Sequence, residues 1–342
     1  MIGNIVVFSP VNYEVFQRQE KDFGFIKFKG GVKNVSKLCA RIKGKDKDGN
    51  DVDITKELKI DSYCAFCEDI KVPAGGWYSV ELVYSTDTCD RVYSCDKVGV
   101  GEVIVTAGQS NFTNSGQYRT CQKSGMVSAY DGLLWQYGDD PFPGVHDGGG
   151  LGSPYPAMGD MLYKELNVPI GFVVAGHGGT STDQWQPNAD PLTAPWITGN
   201  KNIDRVNLFD WLMRRVLKLG PNNFRLIIWH QGESDSETKV AGEYYQKLCC
   251  IIETTRRDAG WYIPWMIAKV TFCPWCGTNE FVRNDQEEII KQGVAMRGPD
   301  TDELLGDYRD YDGEGIHFSP KGLKKHGELW AEKIIEFING SF

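Results

Sequence analysis

From Val98 onward, short β-branched apolar runs alternate with amphipathic stretches of helical length, and this alternation constrains the fold more than any other feature. Strands are expected over 103–107, 169–175, 224–229 and 265–271. Helices are expected over 155–166, 206–219, 243–259, 280–296 and 321–339. Apolar runs this short, separated by helices, read as buried parallel strands. The expected architecture is therefore a three-layer α/β domain with a central parallel sheet. Residues 1–97 follow a different rule. Runs such as Phe25-Ile26-Lys27-Phe28, Lys37 to Ile42 and Trp77 to Tyr84 are separated by turn signals at Gly30-Gly31, Asp48-Gly49-Asn50 and Pro73 to Gly76. They read as a small all-β sandwich, placing a domain boundary between residues 97 and 98.

The chain has 342 residues, 41% of them hydrophobic, enough to bury a core in each of two domains. A net charge of −9 argues against nucleic acid or an anionic membrane surface as partner. No apolar run approaches the ~20 residues that span a bilayer. The first ten residues lack the basic and apolar segments of a signal peptide, so the expected location is the cytoplasm, or outside the cell if a leader has been removed. Ten cysteines include two CxxC pairs, Cys64/Cys67 and Cys273/Cys276. Free thiols are the expectation for a reducing compartment, with disulfides or a zinc site as the alternatives.

Four blocks fall at the strand-to-helix junctions where a parallel sheet presents side chains to its crevice. They are Gly108-Gln109-Ser110-Asn111, Gly176-His177-Gly178-Gly179-Thr180-Ser181, Trp229-His230-Gln231-Gly232-Glu233-Ser234-Asp235 and Glu314-Gly315-Ile316-His317. A serine is a weak nucleophile unless a base takes its proton, and acyl transfer also needs an orienting acid and donors for an oxyanion. The blocks contain each of these groups. The stretch 116–153, rich in Gly, Asp and Pro, reads as a long loop walling the site.

In order and spacing the blocks resemble the SGNH (GDSL-like) hydrolase superfamily, and within it the sialate O-acetylesterase/acetylxylan esterase family of carbohydrate esterases. The resemblance spans roughly residues 98–340 and includes Val98 to Val103 and Gly152-Ser153-Pro154-Tyr155-Pro156. It implies Ser110 as nucleophile, His317 as general base, and an oxyanion hole from the Ser110 and Gly178 N–H groups and the Gln231 amide. Gln231 stands where many members have asparagine. Glu314, three residues before His317, stands where many have aspartate and is the implied third triad member, with Asp312 as rival. The implied reaction removes O-acetyl groups from xylan-type or sialic-acid-type sugars through an acyl-enzyme, with no metal or organic cofactor.

Gln109, Asn111, Trp185 and His146 are candidate substrate contacts, Trp185 as a sugar platform or cleft wall. Asn111 is also suited to hold the serine loop. Glu233 and Asp235 read as braces, His230 as a packing residue and His326 as a surface residue of the last helix. Two other functions fit the same residues: a non-catalytic carbohydrate-binding protein on this scaffold, and a glycosidase using Glu233.

Overall fold

The computed structural model describes residues 4–86, 89–193 and 205–341. The first strands are β1 (Ile5–Ser9), β2 (Val15–Gln17), β3 (Phe23–Val32), β4 (Lys37–Lys45), β5 (Asp51–Glu57), β6 (Ala65–Pro73), β7 (Gly75–Ser85) and β8 (Asp90–Gly108). Then come β9 (Val127–Tyr130), β10 (Trp135–Tyr137), α1 (Tyr155–Leu166), β11 (Ile170–Val174), β12 (Leu192–Thr193), β13 (Arg205–Val206) and α2 (Leu208–Leu219). The chain closes with β14 (Leu226–His230), α3 (Glu243–Ala259), β15 (Trp265–Lys269), α4 (Glu280–Lys291), β16 (Met296–Asp300) and α5 (Pro320–Ser341).

The strand order of the main sheet is β10-β9-β11-β8-β14-β15-β16, parallel throughout except for β10 at its edge. Side chains alternate across a strand. Along β8, Val103, Val105 and Ala107 pack into one cluster with Leu212 of α2, Leu248 of α3 and Ile289 of α4. Ile104 packs into the other with Met158 of α1 and Trp330 of α5. A strand covered on both faces needs apolar residues at every position, which is why these strands appear as unbroken runs in the sequence.

The N-terminal strands are antiparallel, except β2, which pairs in parallel with β8. β3 lies between β1 and β6, while β4 pairs with β5 and β7, and β7 pairs with the first half of β8. Ile26, Phe28 and Ile70 of the first sheet and Ala40, Ile42 and Leu82 of the second share one apolar cluster, which continues into α1 and α5. The expected boundary at residue 97 falls inside β8, whose second half is the centre of the parallel sheet.

Three local expectations are corrected. The helix expected over 280–296 ends at Lys291, because Gly293 adopts φ +70° and turns the chain into β16, which pairs with β15. The stretch 116–153 is not all loop; it contains β9 and β10. Cys273 and Cys276 form a disulfide rather than free thiols, their CxxC spacing placing the Cα atoms 5.5 Å apart. Cys39, Cys64, Cys67, Cys95, Cys121, Cys249 and Cys250 form no disulfide. Among the described residues, no helix is long and apolar enough to cross a membrane.

Candidate active site

Ser110 lies one residue, Gln109, beyond the end of β8 and opens a single 3-10 turn, Ser110–Phe112. The turn is fixed from three sides. Gly108 approaches β14 so closely that a Cβ on it would lie 2.1 Å from the His230 carbonyl oxygen, and its φ of +143° also requires glycine. The Gln109 N–H donates to that carbonyl at 3.0 Å, and the His177 N–H donates to the Gly108 carbonyl at 3.0 Å. From α1, the buried Tyr155 hydroxyl donates to the Phe112 carbonyl at 2.6 Å.

His317 lies on a loop that folds back on itself. The Asp310 N–H donates to the His317 carbonyl at 2.9 Å, and the His317 N–H donates to Asp310 Oδ1 at 3.2 Å. Asp310 Oδ2 then sits 3.8 Å from His317 Nδ1. Burial pushes the imidazole below its ordinary value, while Asp310 and Glu233 pull upward. Arg309 supports the loop from beneath, donating to the carbonyls of Leu304, Ile316 and Thr301 and lying 4.3 Å over the Phe318 ring. Asn111 Nδ2 joins the serine turn to this loop by donating to the Ile316 carbonyl at 3.1 Å and to Glu233 Oε1 at 2.9 Å. Among the described residues, the Ser110 hydroxyl makes no hydrogen bond to His317, a bond that often tightens only when substrate is bound.

The expected acid, Glu314, does not face His317. Glu314 and Asp312 are both exposed, and the carboxylate facing His317 is Asp310. Tyr311, Asp312 and Gly313 all have positive φ, at 49°, 56° and 94°. That run turns the middle of the loop outward and returns the chain so that residue 310, not residue 314, lies beside residue 317.

The Gln231 amide is engaged within its own surroundings. Its Nε2 is within bonding distance of Gln109 Oε1 (3.1 Å), the Thr180 carbonyl (3.1 Å) and Asp235 Oδ2 (2.5 Å). With one methylene more than asparagine, its amide reaches into the block and is held there. The Gly178 N–H likewise donates to a carboxylate, Asp147 Oδ2, at 2.6 Å.

The candidate substrate contacts are mostly buried. Gln109 is 1% exposed, and its Oε1 also accepts from the Ser234 N–H at 3.0 Å. Asn111 is buried by the contacts above. Trp185 is fully buried, donates to Thr180 Oγ1 and packs edge-on against Trp229, so it belongs to the core and offers no face to a sugar. His146 is buried 2.6 Å, Nδ1 to Nδ1, from His177; burial, His177 and Arg215 push it down to about 3.

Behind the site, His230 Nε2 lies 3.4 Å from Glu233 Oε1, and His230 Nδ1 lies 3.2 Å from His326 Nε2. His326 is therefore a buried residue, not a surface one, and burial and His230 hold it well below its ordinary value. Burial opposes the Glu233 charge, yet the contacts with His230 and Asn111 prevail and hold its carboxyl below the usual value. Asp235 accepts from both the N–H and the hydroxyl of Thr182, and burial raises its carboxyl. Asp310, Asp147 and Arg309 escaped the sequence reading. The one available signal was the Asp312-Gly313 pair, which marks a turn tip and so points away from residues 312–314 as inward-facing groups. Among the described residues, no group of three or more His, Cys, Asp or Glu side chains is placed to hold a metal ion.

A family model described as carbohydrate esterase, sialic acid-specific acetylesterase, matches residues 100–336. Among solved structures, a carbohydrate acetylesterase from Xanthomonas citri superposes with a TM-score of 0.55 at 18% identity, covering 98% of this chain and 76% of that one. A protein from Arabidopsis thaliana superposes with a TM-score of 0.51 at 16% identity, covering 69% of this chain and 98% of that one. At these identities the likeness is one of fold. No curated protein sequence matches significantly.

Proposed function

The chain belongs to the carbohydrate esterase family of sialic acid-specific acetylesterases, a family of carboxylic ester hydrolases, and on that premise we propose that Ser110, His317 and Asp310 remove O-acetyl groups from sugars. His317 takes the Ser110 proton as Oγ attacks the acetyl carbonyl. It then returns that proton to the sugar hydroxyl as the C–O bond breaks, leaving an acetyl-serine. Water, activated by the same imidazole, releases acetate. The Ser110 and Gly178 N–H groups hold the oxyanion. Asp310 keeps the imidazole oriented and stabilises its positive charge. Gln231 fixes the third block instead of touching substrate.

The observation that carries this reading is the loop linkage: Asn111, next to Ser110, is bonded to Ile316, next to His317, with Asp310 against the imidazole. A glycosidase built on Glu233 is disfavoured, because that carboxylate is buried and engaged by His230 and Asn111. Hydrolysis of p-nitrophenyl acetate by wild type and by Ser110→Ala tests the proposal. The variant is expected to lose about 10³-fold or more in kcat. Equal rates in the two proteins would remove Ser110 as nucleophile.

A further inference from the structure

Cys273 and Cys276 close the loop that leads from β15 to α4, and the Ser110 chemistry makes no use of them. The loop folds back on itself: the Cys273 N–H donates to the Gly277 carbonyl at 3.0 Å, and the Gly277 N–H donates to the Cys273 carbonyl at 2.8 Å. The two cysteines are unequal. Cys273 is fully buried, whereas Cys276 is exposed, as are Pro274 and Trp275 between them. Cys276 opens on a cavity of about 560 Å³ lined also by Ser236, Lys239, Asn279 and Phe281. The other CxxC pair is a contrast. Cys67 lies within the extended strand β6, Cys64 precedes that strand, and the two form no disulfide.

Ser236, just beyond the third block, stands against both sulfurs. Its hydroxyl donates to Cys273 Sγ at 3.4 Å and lies 3.1 Å from Cys276 Sγ. Ser236 is buried and held in place. Its N–H donates to the Glu233 carbonyl at 3.3 Å, and its carbonyl accepts from Asn279 Nδ2 at 2.7 Å. Asn279 also caps α4, accepting from the Val282 N–H at 3.1 Å, so the positive end of a 12-residue helix borders the same cavity. A disulfide is opened by a thiolate at whichever sulfur is accessible, and it opens faster when the departing sulfur's charge is stabilised. Here the accessible sulfur is that of Cys276, and the departing one, Cys273 Sγ, already receives a hydrogen bond.

We propose that the Cys273–Cys276 disulfide is an exchange site for small-molecule thiols, with Cys276 forming the mixed disulfide, Cys273 leaving and resolving, and the Ser236 hydroxyl holding the departing charge. A thiolate R–S⁻ attacks Cys276 Sγ. The bond between the two cysteine sulfurs breaks, and its electron pair passes to Cys273 Sγ as a thiolate. The cavity beside Cys276 gives the attached R group room. A second R–S⁻ attacks the R sulfur of the mixed disulfide and expels the Cys276 thiolate. Two thiols are oxidised to R–S–S–R, the protein disulfide is reduced, and the two protons given up by the thiols pass to the two cysteines. The reverse sequence, driven by a small disulfide, restores the bond.

The test treats the full chain with 2-hydroxyethyl disulfide, then with 2-mercaptoethanol in native buffer, followed by an acid quench and peptide mass mapping. The adduct is expected on Cys276 and not on Cys273. Ser236→Ala is expected to slow opening about tenfold, the effect of losing one hydrogen bond to a forming anion. In a trapping comparison, Cys273→Ser is expected to take up 2-hydroxyethyl disulfide at Cys276 about tenfold or more faster than Cys276→Ser takes it up at Cys273. A pair that stays reduced after 2-hydroxyethyl disulfide, a disulfide that opens only in urea, a first adduct on Cys273, or equal opening in wild type and Ser236→Ala each overturns the proposal. The wild-type map needs no substitution, so a poorly folding variant does not remove the test. None of these outcomes bears on the esterase chemistry of Ser110, which p-nitrophenyl acetate reads separately.

Discussion

At His317, burial favours the neutral imidazole and Asp310 favours the charged one, with burial the stronger. A general base works only when neutral, so activity is expected to fall as pH drops through a value below the ordinary 6.5 of histidine. Asp310→Asn removes an upward pull, so the acid limb of kcat/KM should move to still lower pH while the rate falls by about 10²–10⁴-fold. Glu314→Gln, an exposed position, should change neither. A loss in Glu314→Gln as large as in Asp310→Asn, read from the same pH profiles, would return the acid to residue 314. The sequence Arg309-Asp310-Tyr311-Asp312-Gly313-Glu314 presents three acids before the histidine, and spacing alone does not choose among them. The choice is made by three consecutive positive φ angles, a property of the folded loop rather than of residue type.

Among the elements, β8 carries the most. Near its midpoint Glu102 is fully buried and pairs with Arg18 at 2.6 Å and Arg225 at 2.8 Å, with Gln17 donating to it at 2.9 Å. Removing one member of such a group leaves the others charged in a dry setting. Glu102→Ala is expected to cost about 3–5 kcal/mol in urea unfolding, against less than about 1 kcal/mol for loss of the exposed Lys45–Asp51 pair. Similar costs at the two sites would mean that Glu102 is not the junction it resembles. Strands β8, β11, β14 and β15 were legible because both faces are covered and nearly every residue is apolar. β16, Met-Arg-Gly-Pro-Asp at the sheet edge, carries no such signal, and its existence depends on pairing with β15. The burial of His326 was equally hidden. A histidine on a helix reads as solvated until a second element, here His230 on β14, supplies its partner.

Across the whole molecule, the apolar cluster that begins at Ile26 in β3 runs without interruption to Ile338 in α5. Trp77 of β7 donates to the Gly125 carbonyl at 2.8 Å, and Ser128 of β9 donates to the Tyr13 carbonyl at 2.7 Å, so polar contacts stitch the same join. One cooperative transition is therefore expected in calorimetry, with equal van't Hoff and calorimetric enthalpies. Two resolved transitions would show that the N-terminal sheets melt alone. The pattern of apolar runs divides a β-rich beginning from an alternating α/β remainder, but it carries no sign that one strand belongs to both. That sharing has a mechanical consequence. β8 passes from the antiparallel sheet into the catalytic sheet with no flexible linker at the crossing, so the crossing offers no hinge on which the two parts could swing and no slack peptide for a protease to nick. The cleft must then admit its sugar through movements of side chains and loops on a stiff frame.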